Sequence, residues 1–193
     1  MRGGVPQSRK RVFIISILKK YNINFDNFKI KTNSLKPLRD FILPYHPQLS
    51  SYIEEAASAL KAIKQNKDFI IDEEVLKNDN SIVRALLTKQ KRWNVNMIKL
   101  KNNEYRNLTP LEYARLMGFE DEDYFKIKKL GDTTCYRLFG NSVIVSVVEV
   151  LLKALFKLID FKKIHLIEQK ERLQYINQLM DDLNQHTLFN LLN

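Results

Sequence analysis

The sequence predicts an α/β chain, on three observations. A continuous run rich in β-branched residues, Val12–Ile17 (VFIISI), reads as a strand buried on both faces. Thr109-Pro110-Leu111-Glu112 is a helix start: threonine at the N-cap, proline at the first helical position, and a glutamate that completes a capping box. Between them, Ala85–Leu100 reads as a pair of short strands carrying Lys89, Lys91, Arg92 and Trp93.

In chain order, residues 1–11 are a Gly/Pro turn followed by a basic cluster. The strand at Val12–Ile17 needs neighbours on both sides, so the rest of its sheet is expected later in the chain or on another chain. Lys19 to Leu49 is loop-rich, with prolines at 37, 44 and 47. Within it, Ser34 precedes Leu35–Leu43, a short helix with Leu38 and Ile42 facing inward. Ser50 and Ser51 precede a helix over Tyr52–Gln65, with Ile53, Ala57, Leu60 and Ile63 on one face. The helix opened by Thr109 runs to Met117 and stops at Gly118, a glycine placed as a C-terminal cap. A further helix is expected from Asn141/Ser142 to about Phe161, and another over Ile164–Leu183. The last places Leu166, Leu173, Ile176, Met180 and Leu183 at heptad-like spacing. Gln169 interrupts that seam, and under three heptads is too short for a coiled coil.

The 193 residues suffice for one ordinary domain, or a small domain plus part of a larger one. A hydrophobic fraction of 45% excludes a disordered tail. The net charge of +10 and pI near 9.6 favour an anionic partner. Residues 1–39 carry ten Lys/Arg against Asp26 alone, and 84–106 carry seven against Glu104 alone. The stretch 54–79 is acidic instead, with Glu54, Glu55, Asp68, Asp72, Glu73, Glu74 and Asp79, and the acidic helix over 52–74 is expected to face away from an anionic partner. A Lys-rich composition with solvated faces is the alternative account of the charge. The one cysteine, Cys135, excludes an internal disulfide and fits a reducing cytoplasm. No secretory signal pattern is visible. The apolar stretch Val143–Phe161 carries Glu149, Lys153, Lys157 and Asp160 on one helical face, which predicts a helix packed on protein and no membrane span.

Three segments, in this order, resemble the last three signature motifs of the cytosine-5 DNA methyltransferases. Gly4-Val5-Pro6-Gln7-Ser8-Arg9-Lys10-Arg11 is similar to the family's Gly-Val-Pro-Gln-x-Arg-x-Arg element. Arg106-Asn107-Leu108-Thr109-Pro110-Leu111-Glu112-Tyr113-Ala114-Arg115-Leu116-Met117-Gly118-Phe119 resembles its Arg-x-Leu-Thr-x-x-Glu-x-Ala-Arg-x-x-Gly-Phe helix. Gly140-Asn141-Ser142-Val143 is similar to its closing Gly-Asn-Ser-Val helix. The resemblance covers residues 3–158, by position rather than sequence within 20–104.

The resemblance implies the C-terminal part of a Rossmann-like, S-adenosylmethionine-dependent enzyme: one large-domain strand and helix plus a small mixed α/β target-recognition domain. The implied organisation is 1–19, motif and strand of the catalytic domain; 20–120, the target-recognition domain; 121–161, the closing motif and returning helix; and 162–193, a helical extension. In this family a cysteine in a Pro-Cys loop attacks C6 of a flipped-out cytosine. A glutamate of a Glu-Asn-Val element assists at N3, and C5 takes the methyl group. No Glu-Asn-Val occurs here, Cys135 follows Thr134, and glycines 3, 4, 118, 131 and 140 make no Gly-x-Gly loop. The isolated chain is therefore expected to be inactive, with no catalytic nucleophile of its own and no metal site; Cys135 reads as a small core filler.

The resemblance places Gln7, Arg9 and Arg11 beside the flipped cytosine in a supporting role. Alternation would send both arginines to one side, where two guanidiniums suit phosphate; a solvated basic turn is the alternative. It places Asn141, Ser142 and Val143 on a wall of the S-adenosylmethionine pocket, at a helix start whose N–H groups suit polar atoms; plain capping is compatible with this. The variable region at about 40–104 would read double-stranded DNA, with Lys89, Gln90, Lys91 and Arg92 as contacts to phosphates and base edges. Trp93 fits a small-domain core or a base contact. Three readings follow: a half-enzyme whose catalytic half is a separate chain, a fragment of a restriction-modification enzyme, or a non-catalytic DNA-binding regulatory module. The family's RNA-methylating branch is a related alternative.

Overall fold

The computed structural model describes residues 4–26, 28–31, 34–89, 95–159 and 161–191, with side chains of the last helix described from 164 to 181. The strands are β1 (Gln7–Ser8), β2 (Ile70–Ile71), β3 (Val83–Arg84), β4 (Met97–Lys99) and β5 (Tyr105–Asn107). The helices are α1 (Ala57–Gln65), α2 (Glu73–Lys77), α3 (Pro110–Leu116), α4 (Asp121–Ile127), α5 (Asp132–Asn141), α6 (Val145–Leu158) and α7 (Phe161–Leu191). Contacts group the chain into two compact units, Met1–Val12 with Ile30–Leu152, and Phe13–Lys29 with Lys153–Asn193.

The first unit holds both small sheets. β1 pairs in parallel with β3, Gln7 opposite Val83. β2 runs parallel to β4, which is antiparallel to β5. The β4–β5 turn is closed by Asn103 in a left-handed conformation (φ 62), which asparagine tolerates through its short polar side chain. Ile63, Val95, Met97 and Tyr105 form a cluster under this sheet. α3 follows β5 directly. Its capping box is formed as the sequence predicts: Thr109 accepts from the Glu112 N–H, and the Glu112 carboxylate accepts from the Thr109 N–H. Gly118 ends the helix at φ 83, a left-handed conformation that glycine adopts without a Cβ penalty. α3 packs on α5 through an edge-to-face pair, Tyr113 and Tyr136, at 4.8 Å between ring centroids. The Tyr136 hydroxyl donates to the Leu108 carbonyl at 2.6 Å.

Several expected elements differ. Val12–Ile17 is irregular rather than a strand, and Val12 and Ile14 are each 89% exposed. β propensity supplies no ladder partner, and among the described residues none lies beside this run. Leu35–Leu43 forms only a short turn over Leu38–Asp40, because the Leu43 N–H donates to the Glu112 carboxylate instead of to a helical carbonyl. The helix expected over Tyr52–Gln65 begins at Ala57: Ile53 bridges to Arg106 and the Glu54 N–H bonds Tyr105, drawing these residues towards β5. Of the two strands expected within Ala85–Leu100, the described residues form one, β4 over Met97–Lys99; β3 lies before that range at Val83–Arg84, and β3 and β4 pair with other strands rather than with each other.

The stretch Asp132–Leu158 is, by length and composition, long and apolar enough to cross a membrane. Extended Ser142 (φ −70, ψ 167) divides it into α5 and α6. Cys135, Tyr136 and Phe139 of α5 are buried, as are Val147, Val150 and Leu151 of α6. In the second unit, α7 runs 31 residues, longer than the expected Ile164–Leu183.

Candidate functional site

The three motif segments meet in the first unit. β1 holds Gln7 with its side chain 9% exposed. The Gln7 amide donates to the Leu116 carbonyl at 3.0 Å and accepts from the Leu86 N–H at 3.3 Å, so one side chain joins the end of α3 to the segment after β3. Arg9 completes the junction. Its guanidinium donates to Leu86 O at 2.9 Å, to Gly140 O at 2.7 Å and to Ser142 O at 3.2 Å. Its Nε is buried without a partner, and burial, with Arg11 nearby, lowers its pKa from the ordinary value.

The two arginines therefore do not share a side as alternation predicts. β1 ends at Ser8, three carbonyls draw Arg9 inward, and Arg11 stays exposed, donating to its neighbour Lys10 O at 2.7 Å. Gln7 and Arg9 hold the fold together here, and Arg11 is the one with an exposed guanidinium.

Gly140 carries the closest approach. A Cβ there would stand 2.7 Å from the Leu87 carbonyl oxygen and 2.8 Å from Thr88 Cα, so only glycine lets α5 lie against this backbone. Asn141 is the last residue of α5, not the start of the next helix. The Ser142 hydroxyl donates to Phe139 O at 2.6 Å, and Val143 is 46% exposed. α6 begins at Val145, whose N–H bonds Met117 O at 3.1 Å. The expected cluster of helix-start N–H groups at 141–143 is thus replaced by an exposed corner.

Lys89 follows Thr88 out of this junction and is exposed; Gln90, Lys91, Arg92 and Trp93 lie outside the described residues. Lys89 shares the lining of a cavity of about 710 Å³ with Glu54, Glu55 and Asp132. Glu54 accepts from the Asn107 amide at 3.2 Å, and Asp132 from the Tyr52 hydroxyl at 2.7 Å. Burial and the bond to Asp132 push the Tyr52 pKa up. Glu54 and Glu55, at the start of the acidic stretch, thus line the same cavity as Lys89.

The residue pair that sequence reasoning missed is Arg106 with Glu112, 1% and 0% exposed. Two parallel hydrogen bonds of 2.7 and 2.9 Å join them. Arg106 also donates to Asn107 O and Leu43 O, and Glu112 accepts from Leu43 N, so the pair ties the loop at 43 to β5 and α3. Counting Arg106 within a basic surface hid this. The usable signal was Glu112 itself: a capping-box glutamate has a second oxygen to satisfy when buried. Arg84, also in that count, pairs with Asp68. Cys135 is buried in α5, its Sγ 3.7 Å from Ile127 O, and burial followed by Asp132 raises its pKa.

The model of the family described as C-5 cytosine-specific DNA methylase matches residues 1–157. The type II methyltransferase M2.ScrFI of Lactococcus lactis subsp. cremoris is 34% identical over 158 residues, covering 80% of this chain and 42% of that protein. A DNA-cytosine methyltransferase of Escherichia coli K12 is 54% identical over 52 residues, 26% of this chain and 11% of that protein. The chain thus spans less than half the length of these curated relatives. The fold resembles Entamoeba histolytica methyltransferase EhMeth, with a TM-score of 0.55 and 19% identity over 80% of this chain and 50% of that one. It also resembles Schizosaccharomyces pombe Dnmt2 methyltransferase, with a TM-score of 0.53 and 20% identity over 80% and 54%. With all three motif segments inside the matched span, the chain belongs to the C-5 cytosine-specific DNA methylase family.

Proposed function

We propose that this chain is the target-recognition and pocket-closing portion of a DNA cytosine-5 methyltransferase of a restriction-modification system, working in the cytoplasm on double-stranded DNA. The reading rests on one observation: Arg9 binds the carbonyls of Leu86, Gly140 and Ser142, so the backbone entering the 89–94 segment and the 140–143 corner are fixed to the same side chain. A target-reading segment and a cofactor-pocket wall must hold a fixed relation if the extruded base is to meet the methyl donor. Lys89 and the sequence Gln90-Lys91-Arg92 would take phosphates and base edges, and exposed Arg11 a phosphate near the flipped base.

Exposed Asn141 and Val143 suit one wall of a nucleoside-bearing pocket, an amide beside an apolar face, while the Ser142 hydroxyl is occupied by Phe139 O. When bound, S-adenosylmethionine supplies the methyl group. The 193 residues contain neither a Pro-Cys nor a Glu-Asn-Val element, so the nucleophile and its assisting glutamate come from other polypeptide, joined to this one or separate.

Anisotropy of a labelled DNA duplex over a salt series tests the reading. With Arg106 buried and Arg84 paired, about three to four phosphates are neutralised, giving a log–log slope of roughly −3. Reversing Lys89, Lys91 and Arg92 to Glu abolishes binding, and reversing Lys162, Lys163 and Lys170 leaves most of it. A flat salt dependence, or the opposite ranking of the two triple variants, overturns it.

A further inference from the structure

The cavity that Lys89 lines sets three carboxylates, Glu54, Glu55 and Asp132, against that one lysine. Phosphate is repelled by such a surplus of acid, so these groups do not serve contact with a DNA backbone. Two of the three are already engaged. Glu54 accepts from the Ala56 N–H at 3.0 Å and from the Asn107 amide at 3.2 Å, and Asp132 accepts from the Tyr52 hydroxyl at 2.7 Å. Glu55 is exposed and has no polar partner among the described residues. Its backbone is nevertheless held. Ile53 bridges to Arg106, the Glu54 N–H bonds Tyr105 O at 2.8 Å, and α1 begins two residues after Glu55. A free carboxylate therefore projects from a fixed stretch of chain, on the cavity where the 89–94 segment begins.

The chemistry of the pair selects the ligand. Among the described residues no three of His, Cys, Asp or Glu come together as a metal site, which leaves the carboxylate for a hydrogen-bond donor. In the major groove the donors are the amino groups of cytosine and adenine. Cytosine suits a carboxylate better: its N4 amino group stands beside C5–H, whereas the adenine N6 amino group stands beside the N7 acceptor, which repels a second carboxylate oxygen. Across the same base pair guanine offers O6 and N7, acceptors that suit an ammonium group. We propose that Glu55 is a specificity-determining residue: it accepts from the N4 amino group of a cytosine in the recognition site, in a G·C pair whose guanine Lys89 contacts. The inference rests on the DNA-methyltransferase reading above.

The test incubates the 193-residue chain with a pool of randomised DNA duplexes at moderate salt and sequences the bound fraction. One position is expected to be enriched in cytosine about five-fold or more. Glu55→Ala removes the enrichment at that position and leaves the others. Glu55→Gln shifts it towards adenine, whose N6 and N7 match an amide's acceptor and donor. Glu122→Gln, which removes an exposed acid outside the cavity, changes no position. Unchanged enrichment in Glu55→Ala overturns the proposal. So does a rise in affinity that is equal for every sequence, which would make Glu55 a source of phosphate repulsion alone. Salt-dependent binding that survives with unaltered preference sinks only the role of Glu55, whereas a flat salt dependence sinks the reading beneath it as well.

Discussion

Arg106 and Glu112 in the first unit are 1% and 0% exposed, whereas in the second unit Leu173 and Met180 of α7 are 59% and 55% exposed. The hydrophobic ranking of these residues would reverse that order. The first unit can bury charge because every polar atom of the Glu112 carboxylate meets a donor: Arg106, the Thr109 N–H and the Leu43 N–H. The second leaves these side chains exposed because, among the described residues, nothing closes over them. Burial of Glu112 follows the donors its carboxylate finds rather than its polarity.

The contrast can be broken most strongly at the buried pair. Glu112→Ala strands the Arg106 guanidinium, and urea unfolding of the 193-residue chain should show a loss of about 3–5 kcal/mol. The double variant Arg106→Met with Glu112→Leu should recover much of that loss; equal damage from single and double variants would mean the pair is not the cause. A smaller loss, about 1–3 kcal/mol, is expected for Gly140→Ala, whose methyl group meets the backbone of Leu87 and Thr88. Leu173→Ser sharpens the other side of the comparison, moving the unfolding midpoint by no more than about 0.5 kcal/mol equivalent because an exposed side chain loses no burial. The smallest effect is on pH dependence. Arg115 holds the Asp121 carboxyl below its usual range, so the stability this pair adds is present above the unfolded carboxyl's pKa, about 4, and is lost as pH falls through the lower folded value. Asp121→Asn should flatten that part of the acid limb, read as the difference between the two stability–pH curves.

What was legible in the sequence was local. Thr109, Glu112 and Gly118 specify α3 within one stretch of chain, and the helix forms as read. Val12–Ile17 carries strand propensity too, but a strand is completed by a neighbour that no local pattern supplies. The helix start read at Asn141/Ser142 falls at the observed break, but no local pattern showed that Asn141 closes α5 and that α6 opens only at Val145. At the candidate site, the sequence brought Gln7, Arg9 and 140–143 into one family pattern without showing that Arg9 bonds directly to the Gly140 and Ser142 carbonyls. The inward turn of Arg9 depended on carbonyls more than 70 residues away, at Leu86 and Gly140.

The backbone around the 89–94 segment is pinned at both ends. On one side Thr88 lies against Gly140, where not even a methyl group fits. On the other, the Asn96 side chain, 3% exposed, accepts from the Arg84 N–H at 3.1 Å and donates to the Arg84 carbonyl at 3.0 Å, standing in for a missing strand neighbour. Such an arrangement behaves as a socket: whatever is inserted between residues 88 and 95 enters and leaves at fixed points. Chimaeras that exchange only this span between relatives would keep both seats, so its length and chemistry are free to diverge while the frame around it stays constant.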